Sequence, residues 1–303
     1  MSVWNEIRKE FSDSQHKTVR QKYIQRYVEA TGNNFICYAT EFTSGSKPDQ
    51  LLMIVPADKQ IFADVMRDLD NTKTVDIMIE SPGGIGTAAE AIAHMLHSRF
   101  PKVRFIIPNM AKSAATVLCL SGNEILMNEQ SELGPIDPQM PVRQPNKNIT
   151  FSPAHLILQQ FGTMVQTLKA DDSAGRLLAP YLQIYFPSLL QECQNAKELI
   201  KTISEDLLKK YMFAEDSNKE SKAKHVAKTL SEFQNHLSHS RSLNIDYCTN
   251  ELGLNVFDLR TDKDLDLIVN QIYLAIKETF NRNPRIVKLC EGNNGQGTLL
   301  QLN

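Results

Sequence analysis

Between Thr74 and Met127 short apolar runs alternate with helix-length segments, and this alternation limits the fold more than any other feature of the chain. Val75, Ile77 and Ile79 mark a strand over 74–80. Ala88, Ala89, Ile92, Met95 and Leu96 then fall on one side of a helix over 85–99. A strand over 103–108, a short helix over 113–120 and a strand over 124–127 come next. The helix over 113–120 is apolar all round, so it has no face to give to water and must be buried. Strands and helices joined this closely build parallel βαβ units with helices covering the sheet. Ligands on such sheets bind beyond the carboxyl ends of the strands, where Gly83-Gly84 and Ser113 both lie.

The flanking regions read less regularly. Residues 1–31 follow a helical period with a polar gap at 12–15, and apolar runs at 34–41 and 51–55 read as strands before a helix over 59–69. Residues 141–148 read as a polar loop. Ser152 then stands as an N-cap with Pro153 at the first position of a helix over 153–169. Further helical stretches are expected near 177–183, 187–211 and 219–237, a short helix over 247–252 closed by Gly253, and a last helix over 264–279. Residues 292–303 look loose. The division this suggests is an N-terminal helix (1–31), a main domain (32–260), and a C-terminal helix with a loose tail (261–303).

Bulk properties exclude some classes of partner. With 42% hydrophobic and 22% charged residues the composition is that of a soluble globular protein. A net charge of -2 gives no bulk attraction to nucleic acid or to an anionic membrane. No run approaches the roughly 18 apolar residues of a membrane span, and the polar start MSVWNEIRKEF lacks the apolar core of a secretory signal. The five cysteines are scattered without a C-x-x-C pair, as expected for reduced thiols in a cytoplasmic protein.

Three motifs carry the chemistry. Ser81-Pro82-Gly83-Gly84 follows a strand and precedes a helix, and glycines there turn the chain sharply and present bare N–H groups. An ordinary strand-to-helix turn has the same composition. Ala111-Lys112-Ser113-Ala114-Ala115-Thr116 sets a serine at a helix start. A serine hydroxyl there serves as a nucleophile only with a base and a site for the developing negative charge; otherwise it is a helix cap. Gly134-Pro135-Ile136-Asp137-Pro138-Gln139 holds an acid between prolines that restrict the backbone, which suits orienting a histidine and equally suits a turn.

The base is not fixed by spacing. His94, His97 and His225 fall on polar helix faces. His155 and His236 flank apolar stripes. His239 lies just past a helix end, in a loop, where functional residues concentrate. Lys112 is adjacent to Ser113 and projects in another direction, which makes it a poor proton acceptor for that hydroxyl. Lys147 and Lys169 come after the core motifs, and either can serve as the base of a Ser–Lys dyad if the fold returns it to Ser113.

These motifs resemble the serine dehydrogenase proteinase family, a branch of the Clp protease/crotonase superfamily related to signal peptide peptidase A. The family's T-P-G-G turn is Ser81-Pro82-Gly83-Gly84 here, and its A-A-x-x-I-A helix is Ala88-Ala89-Glu90-Ala91-Ile92-Ala93. Its A-M-S-G-G-T is Ala111–Thr116, its D-E-I-V-M is Asn123–Met127, and its L-G-P-V-D-P-Q is Leu133–Gln139. A P-A-x-x-I-L helix start matches Pro153–Leu158. A T-H pair with a later L-G-L-x-V matches Ser238-His239 and Leu252–Val256. The match is dense over 75–158 and thin over 220–256.

The resemblance implies an α/β fold of Clp protease/crotonase type, built of repeated ββα units with a largely helical C-terminal half. It implies a peptide or protein substrate, a Ser113–His239–Asp137 triad or a Ser–Lys dyad, and an oxyanion hole from Gly83 or Gly84 with Ala114. It implies neither metal nor organic cofactor, and a homo-oligomer. Lys112, Ala114 and Ala115 depart from the family's Met and paired glycines, and the two methyls are expected to narrow the space above Ser113. A catalytically inactive scaffold or sensor, and an enzyme acting on acyl thioesters, are the competing readings.

Overall fold

The computed structural model describes residues 2–45, 47–143, 149–171, 173–182, 185–186 and 188–302. A central mixed sheet of seven strands separates two layers of helices. In chain order the elements begin with α1 (Val3–Asp13), α2 (His16–Thr31), β1 (Asn34–Thr40), α3 (Asp49–Leu52) and α4 (Asp58–Met66). Next come β2 (Val75–Glu80), α5 (Gly86–Arg99), β3 (Val103–Ile106), β4 (Met110–Ala111), α6 (Ala114–Leu120), β5 (Glu124–Met127) and β6 (Glu132–Leu133). The hairpin β7 (Gln139–Arg143) and β8 (Ile149–Pro153) leads into α7 (Ala154–Ala170), α8 (Ala174–Leu182), α9 (Leu189–Leu207), α10 (Lys219–Ser231) and α11 (Phe233–His236). β9 (Val256–Asp258), α12 (Lys263–Arg282), β10 (Ile286–Gly292) and β11 (Gly297–Gln301) complete the chain.

The sheet order is β11-β10-β1-β2-β3-β5-β9. The five strands from β1 to β9 run parallel, and β10 and β11 add antiparallel at one edge. Side chains alternate across it as the pleat requires. Val75, Ile77 and Ile79 face the core under α4, α5, α6, α9 and α10, whereas Phe35, Cys37 and Met78 face α1, α2 and α12. The second face also carries Asp76, which is wholly buried and fully paired. Its carboxylate accepts from Tyr27 at 2.8 Å, from Asn33 at 2.9 Å, and from both Nε and Nη2 of Arg104.

Several elements differ from the sequence reading. The N-terminal helix is two helices, broken at the polar gap. The run at 51–55 is not a strand; α3 ends at Leu52, and Ile54 alone pairs with Gly84. Ser152 does not cap a helix. It lies in β8 opposite Met140, and Pro153 precedes α7 with no side-chain cap. β9 was not expected, because its three residues carry no strand period of their own; β5 recruits them. The tail is ordered as β11, since Gly295 at φ +72° turns the chain and Asn293 Oδ1 accepts the Phe35 N–H at 2.8 Å. All five cysteines are free and buried, and among the described residues no helix is long and apolar enough to cross a membrane.

One buried ion pair anchors the chain beside the motif region. Asp58 accepts from Lys288 Nζ at 2.8 Å, from Tyr38 Oη at 2.9 Å and from the Val55 N–H at 2.9 Å, and Lys288 also bonds the Met53 carbonyl. Removing one partner of such a pair strands the other in the core. Asp58→Ala is expected to lower unfolding free energy by about 3–5 kcal/mol, read from urea denaturation.

Candidate active site

A small second sheet organises the three motifs. β4 pairs in parallel with β6, through Met110 and Glu132 and through Ala111 and Leu133. Ser81 bridges to Ala111 on one side of this pair, and Leu243 bridges antiparallel to Leu133 on the other. Ser113 stands two residues beyond β4, Asp137 four residues beyond β6, and His239 four residues before Leu243. Three segments far apart in sequence are thereby held side by side by backbone hydrogen bonds.

Ser113 precedes α6 with φ +52° and ψ −121°, a conformation costly to a residue with a side chain. Such strain is of order 1–3 kcal/mol. Its side chain makes no capping bond, so the reading of Ser113 as a plain N-cap fails. The neighbouring turn explains how the strained residue is accommodated. Gly83 has φ +104°, and a Cβ placed on it would lie 2.6 Å from Ser113 Cβ and 2.9 Å from the Ala114 nitrogen. Gly84 has φ +150°, and a Cβ there would lie 2.4 Å from the Ile54 carbonyl oxygen. Both glycines are required by close approach, one to the serine and one to the Ile54 strap.

The amides divide by use. The Gly83 N–H donates to Ser81 Oγ at 3.1 Å, which takes it out of the expected oxyanion set. The Gly84 and Ala114 N–H groups have no acceptor within the described protein. Ala115 is wholly buried in the main core, so its methyl does not narrow the space above Ser113 as the sequence suggested.

Asp137 and His239 meet. The carboxylate Oδ1 lies 2.8 Å from His239 Nδ1, and Oδ2 accepts from Gln139 Nε2 at 2.8 Å. Asp137 is buried, whereas the His239 side chain is 27% exposed and its far nitrogen has no hydrogen-bond partner among the described residues. Asp137 is steadied through its own segment. Thr116 Oγ1 accepts the Gly134 N–H at 3.0 Å and donates to the Ala111 carbonyl at 2.8 Å, which ties the Asp137 segment to β4, and the Ile136 N–H donates to the Leu230 carbonyl.

Ser113, Ala114, Gly84 and His239 border one cavity of about 620 Å³. Its remaining wall is mainly apolar, with Phe42 and Met53 on one side, Phe151 from β8, and Leu199, Ile200 and Ile203 from α9. The Ser113 hydroxyl and His239 share this space without a hydrogen bond between them.

The other candidates fall elsewhere. His155 starts α7, stacks on Phe233 and contacts Gln234; partial burial and then Lys197 hold its imidazole below the usual histidine value. Lys169 is exposed in the last turn of α7 and does not border the cavity. Lys147 lies outside the described residues. His97 is not solvated: it stacks on Tyr211 at 3.5 Å, and burial pushes it down to about 4. Ser81, Thr116 and Gln139 have their partners in the structure and sit inside the three motifs, where the motifs themselves mark their positions. No local signal in the sequence marks Ile54 or the α9 wall.

The comparisons with known proteins concern the same segment. The sequence model of the ClpP-like SDH-type serine proteinases matches residues 51–154. Two uncharacterized proteins of Methanocaldococcus jannaschii are similar, one 35% identical over 83 residues and the other 38% identical over 66 residues. Those matches cover 27% and 22% of this chain and 29% and 23% of the relatives, so the chain spans less than a third of either. Among solved structures, two mutants of the 1510-N membrane-bound stomatin-specific protease, the second in complex with a substrate peptide, align at 15% identity with TM-scores of 0.43 and 0.40. They cover 70% and 82% of this chain and 78% and 83% of those chains. The matched residues 51–154, which hold Gly83, Gly84, Ser113, Ala114 and Asp137, are similar to the ClpP-like SDH-type serine proteinases.

Proposed function

We propose that this protein is a serine peptidase that cleaves through an acyl-enzyme on Ser113. The observation that carries the reading is the Asp137–His239 hydrogen bond of 2.8 Å, in a histidine that borders the same cavity as Ser113. In this reading Ser113 Oγ attacks the scissile carbonyl carbon, and its proton passes to His239 Nε2. Asp137 fixes the tautomer by accepting from Nδ1–H and stabilises the imidazolium that forms. The carbonyl oxygen takes up negative charge facing the Gly84 and Ala114 N–H groups, and one such donor is worth about 2.7–4 kcal/mol in the barrier. The carbon–nitrogen bond then breaks, and the amine leaves with the proton from His239. Water attacks the ester by the same route in reverse, His239 taking its proton and returning it to Ser113. The serine–imidazole hydrogen bond is one that tightens on substrate binding, as such bonds do in enzymes whose free form holds them open.

Histidine is favoured over lysine as the base. Among the described residues no lysine borders the cavity, and Lys112, the nearest in sequence, is engaged by Glu132. The apolar wall supports a substrate with a large apolar side chain beside the scissile bond, because that surface gains most from being covered.

A fluorophosphonate probe is expected to label Ser113 and to leave Ser113→Ala unlabelled, read by mass spectrometry of the modified peptide. His239→Ala is expected to slow labelling at least about 1,000-fold. Failure of the parent protein to label would end the acyl-enzyme reading and favour a non-catalytic scaffold. Leu199→Ser, at the half-exposed rim, is expected to lower kcat/KM about 10-fold for peptides with a large apolar residue next to the cleaved bond. Peptides with a small residue there are expected to be unaffected.

A further inference from the structure

Lys112 has a partner set that an ordinary surface lysine lacks. Its ammonium lies 2.7 Å from Glu132 Oε2, 3.1 Å from the Leu133 carbonyl oxygen and 3.4 Å from Ser242 Oγ. Ser242 Oγ in turn donates to the same Glu132 oxygen at 2.6 Å. The three partners belong to the two chain segments that carry the other site residues. Glu132 and Leu133 form β6, which leads to Asp137, and Ser242 comes three positions after His239. Lys112 itself immediately precedes Ser113.

The aliphatic stem is accommodated as deliberately as the charge. A Cβ on Gly134 would lie 2.8 Å from Lys112 Cδ, so the glycine that opens the Asp137 motif leaves the space that the lysine stem fills. The Lys112 side chain is only 12% exposed. Burial alone would raise the Glu132 carboxyl; the bonds from Lys112 and Ser242 outweigh it and hold the group below its ordinary value.

The loop bearing His239 depends on attachment at its ends. At one end Leu237, at φ +61°, donates its N–H to Phe233. At the other, Leu243 exchanges backbone bonds of 3.0 and 3.1 Å with Leu133. Ser238, Ser240 and Ser242 between them are not buried. The Lys112–Glu132–Ser242 cluster is the side-chain tie that joins this loop directly to the serine turn.

We propose that Lys112 is a positioning residue that sets the distance between Ser113 and His239 by strapping the serine turn to the segments of Asp137 and the histidine loop. The proposal rests on the serine-peptidase reading. Because the ion pair is partly exposed, its contribution to global stability is small, and its effect belongs in the alignment of the reacting groups. A displacement near 1 Å costs up to about 100-fold in rate.

The test is the kinetics of fluorophosphonate labelling of the full chain, with kinact and KI measured separately and thermal unfolding recorded in parallel. Lys112→Met keeps the stem and removes the charge. It is expected to lower kinact about 10-fold with KI and Tm nearly unchanged, and Lys112→Arg is expected to recover most of the loss. A Lys112→Met protein that reacts as fast as the parent overturns the strap and leaves the peptidase reading standing, since the parent still labels. A parent that does not label removes both. Should Lys112→Met fail to fold, the exposed Ser242→Ala is measured in its place; a fall of about threefold in kinact supports the strap, and an unchanged rate overturns it.

Discussion

Everything proposed for this site depends on a few backbone hydrogen bonds in the second, smaller sheet. Ser81, β4, β6 and Leu243 lie in a row, joined by Ser81 N–H to Met110 at 3.1 Å, Lys112 N–H to Ser81 at 3.0 Å, and the paired bonds between Leu133 and Leu243. These strands are too short to be stable alone. They persist because the large sheet ends beneath them and α6 packs Ala115, Val117 and Leu118 into the main core. The small sheet converts ordered packing into the proximity of three segments more than 20 residues apart. Proximity fixed before substrate arrives is the part of catalysis that a fold supplies most directly.

The glycine turn is held from the other side by a different device. Ile54 donates its N–H to Gly83 at 2.7 Å and accepts the Ile85 N–H at 2.9 Å, so one residue brackets the turn. Ile54 is itself fixed from its C-terminal side, by the buried Asp58–Lys288 pair and the Tyr38 hydroxyl. A buried ion pair is a weak source of net stability. Here its geometric consequence is clearer than its energy: it ties the 53–58 segment to β10, a strand almost at the chain's end, and the glycine turn inherits that rigidity.

The parallel heart of the fold was legible because strands and helices from β2 to β5 carry complete periods of 2 and 3.6 in their own residues. Ser113, Gly84, Ala114 and Asp137 were legible for a related reason, since each lies in a short motif at a strand end. Spacing did not choose His239; its place in a loop past a helix end made it a candidate, the family resemblance singled it out, and the structure brings it to Asp137. What escaped the sequence was made elsewhere. β9 exists because β5 offers an edge. β11 exists because Gly295 turns it back on β10. The polar-loop reading of 141–148 missed the end of β7 at 141–143, and residues 144–148 lie outside the described residues. The Lys112 partners were invisible because they lie 20 and 130 positions away.

Strain and space are balanced around one peptide. A residue with a side chain at φ +52° costs free energy that an ordinary helix start would avoid. The chain keeps a serine there and uses none of its hydroxyl for capping. The compensation is visible in the neighbours: Gly83 gives up its side chain so that Ser113 Cβ can approach, Thr116 links the Ala111 carbonyl to the Gly134 N–H, and Ala114 leaves its N–H without a partner among the described residues. A structural turn under no other constraint would relax to a capped helix with glycine or asparagine at the strained position. The strain is kept where the Ser113 hydroxyl and the Gly84 and Ala114 amides, all without a partner among the described residues, belong to residues that border one cavity.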